Sequence, residues 1–212
     1  MSNLNPEKAL IFRITHIANV PWILDHGLHC RSAELRDPNY VDIGNPELIA
    51  KRTHRVVPIP PRGTLSDYIP FYFTPYSPML LNIKTGHGGT KQTPMPEIII
   101  LVSSLRTVAE GGLPFVFTDR HAYLQAAQYF NDLACLDRID WAILQARDFR
   151  RDPDDPGKFE RYQAEALVHH HLPVSALAGI GCHGPPQEAL LKAELDKRAI
   201  QLKLAARPGW YV

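Results

Sequence analysis

Apolar residues fall in short runs along this chain, separated by polar and proline-rich stretches, with no long amphipathic segment. Ala9-Leu-Ile-Phe-Arg-Ile-Thr15 is apolar with one arginine and predicts a first strand. Asn19 then stands as an N-cap, with Pro21 in the first turn and Val20, Ile23 and Leu24 on one face of a helix that Gly27 closes. Residues 29–44 lack periodicity and predict an ordered loop. Asn45-Pro46 starts a second short helix, Glu47 to Arg52, ending in a basic cluster of Lys51, Arg52, His54 and Arg55. Pro58, Pro60, Pro61 and Gly63 predict an extended segment. Asp67 to Thr74 is aromatic and strand-like, and Pro70 places it at a sheet edge or a strand start.

Ser77-Pro78 caps a third helix, Met79 to Ile83, and Gly86, Gly88 and Gly89 make a flexible loop. Glu97 to Val102 is a nearly continuous apolar run and the best candidate for a buried strand. Ser103 or Ser104 caps a helix that stops at Gly111-Gly112, and Leu113 to Thr118 is another strand. His121 to Phe130 reads as a helix, with Tyr123, Ala126, Ala127 and Phe130 at helical spacing. Ile139 to Gln145 is a short helix, and Ala164 to Val168 a buried strand or helix end. The C-terminal part reads as a strand (Leu177 to Cys182), a helix (Gln187 to Lys197) and strands at Ile200 to Leu204 and Trp210 to Val212. Short strands mixed with short helices, without regular alternation, favour an α+β fold over a doubly wound sheet.

Composition adds limits. The 212 residues suffice for one domain, and residues 1–212 are read as one. A net charge of +1 confines any nucleic-acid site to a local patch. Cys30, Cys135 and Cys182 are too few and too scattered for a disulfide framework, which points to a reducing compartment. The polar Met1–Lys8 segment has no signal-peptide core, and no apolar run approaches the roughly 20 residues that span a bilayer. The expectation is a cytoplasmic protein without a membrane role.

The stretch with most chemistry is Ala146 to His169. Its first half carries Arg147, Asp148, Arg150, Arg151, Asp152, Asp154 and Asp155, broken by Pro153, Pro156 and Gly157. Its second half sets Glu165 among Ala164, Ala166, Leu167 and Val168, where a carboxylate is costly to bury unless something pairs with it. A basic, aromatic loop running into a fixed glutamate suits holding a substrate against a catalytic carboxylate. A solvated linker before a water-facing glutamate is the alternative. No P-loop, G-x-G-x-x-G or G-x-S-x-G pattern occurs. His169, His170, His171, Cys182 and His183 match no zinc spacing, so no metal is expected. Glu165, the arginines Arg13, Arg52 and Arg55, His16 and the aromatic strand Phe71-Tyr72-Phe73 each have a structural explanation when taken singly. Together they are the ingredients for binding a dinucleotide: arginine for pyrophosphate, aromatic faces for nicotinamide, a carboxylate for a ribose hydroxyl. They specify no reaction.

Four segments change this: I-F-R-I-T-H-I-A-N at 11–19, D-Y-I-P-F-Y-F-T-P-Y-S-P-M-L at 67–80, L-P-F-V-F-T-D-R-H-A at 113–122 and A-E-A-L-V at 164–168. Together they resemble the DarT family of DNA ADP-ribosyltransferase toxins, over nearly the whole chain. The resemblance implies an ADP-ribosyltransferase-like fold of split antiparallel β-sheets with flanking helices and NAD in the cleft. It implies transfer of ADP-ribose from NAD, as co-substrate, to thymine N3 in single-stranded DNA. It also implies a toxin acting as a monomer, opposed by a cognate macrodomain antitoxin of the DarG kind. The family's glutamate falls on Glu165 and its essential arginine on Arg52, the two catalytic candidates. Implied NAD contacts are Arg13, Thr15, His16, Arg52, Tyr72 and Phe73, with Arg13 standing where some relatives carry histidine. Arg147, Phe149, Arg150, Arg151, Arg161, Tyr162 and His121 then suit phosphate contact and base stacking. A non-catalytic single-stranded nucleic-acid binder, a same-fold transferase acting on RNA or protein, and an NAD hydrolase are the rivals.

Overall fold

The structure is a computed structural model that describes residues 4–211. In chain order it comprises β1 (Leu10–His16), α1 (Val20–His26), β2 (Leu28–His29), α2 (Pro46–Arg52), β3 (Tyr68–Tyr72), α3 (Pro78–Thr85), β4 (Ile98–Ser104), α4 (Leu105–Glu110), β5 (Phe115–Thr118) and β6 (Tyr129–Phe130). There follow α5 (Trp141–Ala146), α6 (Lys158–Arg161), β7 (Glu165–His169), β8 (His171–Leu172), β9 (Gly179–Cys182), α7 (Pro185–Lys197) and β10 (Lys203–Ala206). The main sheet has eight strands in the order β10-β9-β4-β1-β3-β7-β5-β6, and β2 pairs with β8 apart from it. All pairings in the main sheet are antiparallel except β10 with β9.

The sheet is nearly two sheets. β1 pairs with β4 along all seven of its residues, yet meets β3 only at Phe12↔Tyr72. The halves β10-β9-β4-β1 and β3-β7-β5-β6 are therefore joined at one residue pair. This also places Pro70, which lies inside the sheet order and not at its edge. In an extended strand the N–H and C=O of one residue point to the same side, and Pro70 O accepts a hydrogen bond from Arg13 Nη1 at 2.9 Å. The nitrogen without a hydrogen thus faces β1, where no ladder needs it.

Capping follows the sequence at three helices. Asn45 Oδ1 accepts from Leu48 N–H at 2.9 Å, Ser77 Oγ from Leu80 N–H at 3.2 Å, and Ser104 Oγ from Thr107 N–H at 3.0 Å. Asn19 does otherwise. It makes no cap bond, and its buried amide ties Thr15 Oγ1 and both backbone groups of Val41 together. Ala164–Val168 resolves as strand, since β7 is buried from Glu165 to Val168. The helix expected over His121–Phe130 is absent. Turns lead into β6, and Ala126, on the expected buried face, is exposed. The late strand starts at Lys203 instead of Ile200, and Pro208–Trp210 is a 3-10 turn where a last strand was expected, with Val212 outside the described residues.

The largest core cluster packs Ile11, Ile69, Phe71, Phe73, Leu101, Phe117, Ala166 and Val168 on one sheet face. On the other face Phe12, Ile14, Leu80, Ile83 and Ile100 form a second cluster, with Tyr72 at its margin. Among the described residues no helix is long and apolar enough to cross a membrane.

Candidate active site

Glu165 opens β7 and is 2% exposed. Tyr72 lies opposite it on β3, and Phe12 lies opposite Tyr72 on β1. The row Phe12–Tyr72–Glu165 thus crosses the seam between the two halves. On its other side Glu165 has no backbone partner on β5, so its N–H donates to Thr118 Oγ1 at 3.3 Å.

Three groups meet the carboxylate. Arg52 Nη1 donates to Oε2 at 3.0 Å and to Oε1 at 3.4 Å. The Ala122 N–H donates to Oε1 at 2.9 Å. His121 Nδ1 lies 3.7 Å from Oε1, yet that nitrogen accepts the Tyr123 N–H at 3.2 Å. Burial pulls the imidazole pKa below its usual value, against the pull of Glu165 and with that of Arg52. The ring is therefore neutral at neutral pH with its proton on Nε2. For Glu165, burial alone would raise the pKa, but Arg52, His121 and the Ala122 N–H together hold it below the usual carboxylate range. With His121 neutral, the arginine and the amide supply that effect. Glu165 is an anion without bulk water around it, fixed by a cation and a backbone dipole.

Arg52 reaches it as the last residue of α2, where the partial negative charge of a helix end favours a cation. Among the described residues three guanidinium donors are buried without partners: Arg13 Nε, Arg52 Nη2 and Arg55 Nε. Arg13 Nη1 spans the seam to Pro70, and Nη2 donates to Tyr40 OH at 3.3 Å. Buried donors left unpaired cost about 1–3 kcal/mol each. Phosphate or ribose oxygens suit Arg13, and an oxygen of either substrate suits Arg52, so these residues fit a dinucleotide with an acceptor beside it. Tyr72 borders the same site, its hydroxyl directed at Met79 Sδ at 3.6 Å. Burial, and then the Glu165 charge, raise its pKa, so it stays a phenol.

Other expected contacts are engaged within the protein. Phe73 points to the opposite face from Tyr72 and is wholly buried, edge-on to Phe117 and Trp141 at 6.2 and 5.5 Å. Strand alternation places it in the core. Thr15 is also wholly buried, and its hydroxyl accepts from Asn19. His16 is engaged within the protein: Nε2 lies 3.1 Å from Glu97 Oε2 and Nδ1 accepts the Ala18 N–H.

The 147–162 segment divides similarly. Tyr162 is 1% exposed and donates to Tyr76 O, so it cannot stack on a base. Phe149 packs between Tyr76 and Tyr162, with ring centroids at 5.6 and 5.3 Å. Arg161 is held by Asp155 at 2.6 Å and Asp140 at 3.1 Å, which satisfies it within the protein. Arg147 is exposed and donates to Gly209 O at 3.1 Å. Arg150 and Arg151 are exposed, the first paired with Asp148 and the second over the Phe159 ring at 4.9 Å. Both guanidiniums reach solvent, where a polyanion can meet Arg151 directly and Arg150 in competition with Asp148. His121 belongs beside Glu165 and not to the basic loop. Ala122 was not legible beforehand, because a backbone amide has no side-chain signature. Among the described residues no group of three or more His, Cys, Asp or Glu could hold a metal ion.

Comparison with known proteins gives this geometry a context. The family model for "ssDNA thymidine ADP-ribosyltransferase, DarT" matches residues 12–212. The chain is 56% identical over 210 residues to a DNA ADP-ribosyl transferase of Escherichia coli O127:H6, covering 99% of this chain and 96% of that one. Its fold is similar to Thermus sp. 2.9 DarT in complex with ADP-ribosylated ssDNA, with a TM-score of 0.90, 34% identity and both chains covered completely. The same Thermus protein in complex with NAD+ aligns with a TM-score of 0.84, covering 98% of this chain and 99% of that one.

Proposed function

The chain belongs to the DarT family, and from that membership we propose that Glu165 and Arg52 transfer ADP-ribose from NAD to N3 of thymine in single-stranded DNA. It is an NAD-dependent DNA ADP-ribosyltransferase. The observation that carries the residue assignment is the buried Glu165–Arg52 pair on the row that crosses the seam.

The chemistry follows from the charges. Loss of nicotinamide leaves an oxocarbenium-like ribose, as in glycoside cleavage. A preorganised carboxylate stabilises that developing positive charge more than it stabilises neutral ground-state ribose. Glu165 meets this need because it is anionic, dry and fixed by two donors. Thymine N3 must lose a proton as it attacks the anomeric carbon. Arg52, with one buried N–H unpaired, favours the thymine anion, and Glu165 takes the proton. In a duplex N3 is buried in the base pair, so the acceptor must be unpaired or extruded. Arg13 and Tyr72 border the NAD side, and Arg147, Arg150 and Arg151 meet the DNA backbone. The protein acts in the cytoplasm as a monomeric toxin, and a macrodomain antitoxin removes the modification.

The test is mass analysis after incubation with NAD and oligonucleotides of equal length containing one thymine or none. A mass increase of one ADP-ribose is expected only with thymine, and Glu165→Ala should abolish it while the protein stays folded and binds NAD. Modification of the thymine-free strand would overturn the base assignment. Free ADP-ribose without DNA product would make the protein an NAD hydrolase.

A further inference from the structure

Between Asp119 and Tyr129 the backbone makes only scattered bonds: Asp119 N–H to Gln128 O, His121 N–H to Glu160 O and single turns at Leu124 and Ala127. Side chains add to them. Tyr129 OH donates to Ala122 O at 2.5 Å, Arg55 Nη2 donates to Leu124 O at 2.7 Å, and Asp119 Oδ1 accepts the Gln128 N–H at 2.9 Å. Residue 122 is thus fixed from both sides, its N–H on Glu165 and its carbonyl on Tyr129. Arg55 follows Arg52 by one turn, its N–H donating to Arg52 O at 3.3 Å. One stretch of chain therefore sends one guanidinium to the carboxylate and the next to the segment that supplies the amide. Burial raises the Tyr129 phenol more than its Arg55 contact lowers it, so the hydroxyl remains a donor at neutral pH.

The amide matters because of how the arginine binds. Arg52 uses one nitrogen for both carboxylate oxygens, at 3.0 and 3.4 Å. A single donor does not fix the plane of a glutamate carboxylate, whose last torsion is soft. The Ala122 N–H on Oε1 is the second point that does. We propose that Tyr129 and Arg55 are positioning residues of the transfer reaction, which hold the Ala122 amide on Glu165 so that the carboxylate is aimed at the reacting ribose. This rests on the reading of Glu165 as the carboxylate of that step.

Tyr129→Phe and Arg55→Lys test it, in the full chain, by steady-state transfer to a thymine oligonucleotide between pH 5 and pH 8. Deleting one direct donor to a transition-state charge costs a hundredfold or more, so loosening one indirectly should lower kcat about tenfold, with KM for NAD changed by less than about twofold. Weakening the amide contact removes one cause that holds Glu165 low, so the acid limb of kcat should move to higher pH. A purely structural role would lower thermal stability and leave that limb in place. Wild-type kcat in a folded Tyr129→Phe overturns the proposal, and so does a lowered kcat with an unmoved acid limb. If Tyr129→Phe does not fold, Arg55→Lys is read by the same criteria. Glu165→Ala is run alongside. If it is active, the reading of Glu165 fails. If it is inactive while the other two behave as wild type, only the positioning role fails.

Discussion

Replacing Arg52 with alanine leaves Glu165, 2% exposed in the wild type, with only the Ala122 N–H as a donor at hydrogen-bond distance. Removing one partner of a buried ion pair typically costs about 3–5 kcal/mol. Here the orphaned carboxylate has an escape, because it can take up a proton. The penalty for its charge cannot exceed the cost of protonating it, about 4 kcal/mol at pH 7 and about 1 kcal/mol at pH 5. In the wild type the folded pKa lies below the unfolded one, so Glu165 contributes stability above the carboxylate range and loses it as pH falls. In Arg52→Ala burial dominates, the folded pKa rises above the unfolded one, and the same group opposes folding as pH increases. Urea unfolding at pH 5, 6, 7 and 8 should therefore show a deficit of about 3 kcal/mol at pH 7 that shrinks toward pH 5. Adding Glu165→Gln to the same chain removes the charge and should restore about 1 kcal/mol or more at pH 7. A deficit independent of pH, with no recovery from glutamine, would refute the view that Arg52 holds the buried anion.

Arg52→Lys keeps a charge and loses the planar fork, so transfer to DNA should fall about tenfold or more while slow NAD hydrolysis falls less. Counting both products in one tube decides it, and equal losses would assign Arg52 to NAD binding. Removing Arg150 and Arg151 together should flatten the plot of log affinity for single-stranded DNA against log salt by about 1.4, with NAD affinity unchanged. An unaltered slope would make the loop a connector only. Arg161→Ala should instead destabilise the fold by releasing Asp140 and Asp155 from a shared cation, read as a lower Tm with an unaltered salt slope; a flattened slope would place Arg161 on the DNA.

Much of the framework was legible because burial on both sheet faces leaves a continuous apolar run, as in β4, and because short polar residues before helices keep their capping role. The 121–130 segment failed for an identifiable reason. Its apolar spacing is helical, but Arg55 and Tyr129 take up its carbonyls and Glu165 takes up its Ala122 amide, so the backbone bonds that a helix needs are spent on the site. Asn19 was read as a cap because its local sequence allows it. Two of its three bonds go to Val41, 22 residues away and beyond any local rule. At the candidate site, Glu165 and Arg52 were singled out through motif resemblance, and they lie 113 residues apart in sequence and 3.0 Å apart in space. Phe73 and Tyr162 were misplaced because aromatic character alone does not say which face of the sheet a ring will occupy.

The proline opposite the seam has a consequence for how the sheet assembles. Two antiparallel strands already joined at Phe12↔Tyr72 would ordinarily zip further, each new pair adding a ladder bond. At position 70 the next bond toward β1 has no hydrogen to form it, and the carbonyl is already taken by Arg13. Zipping stops there on the Pro70 side. The two half-sheets therefore stay separate beyond the Phe12–Tyr72 rung, because β3 lacks the means to add the next one.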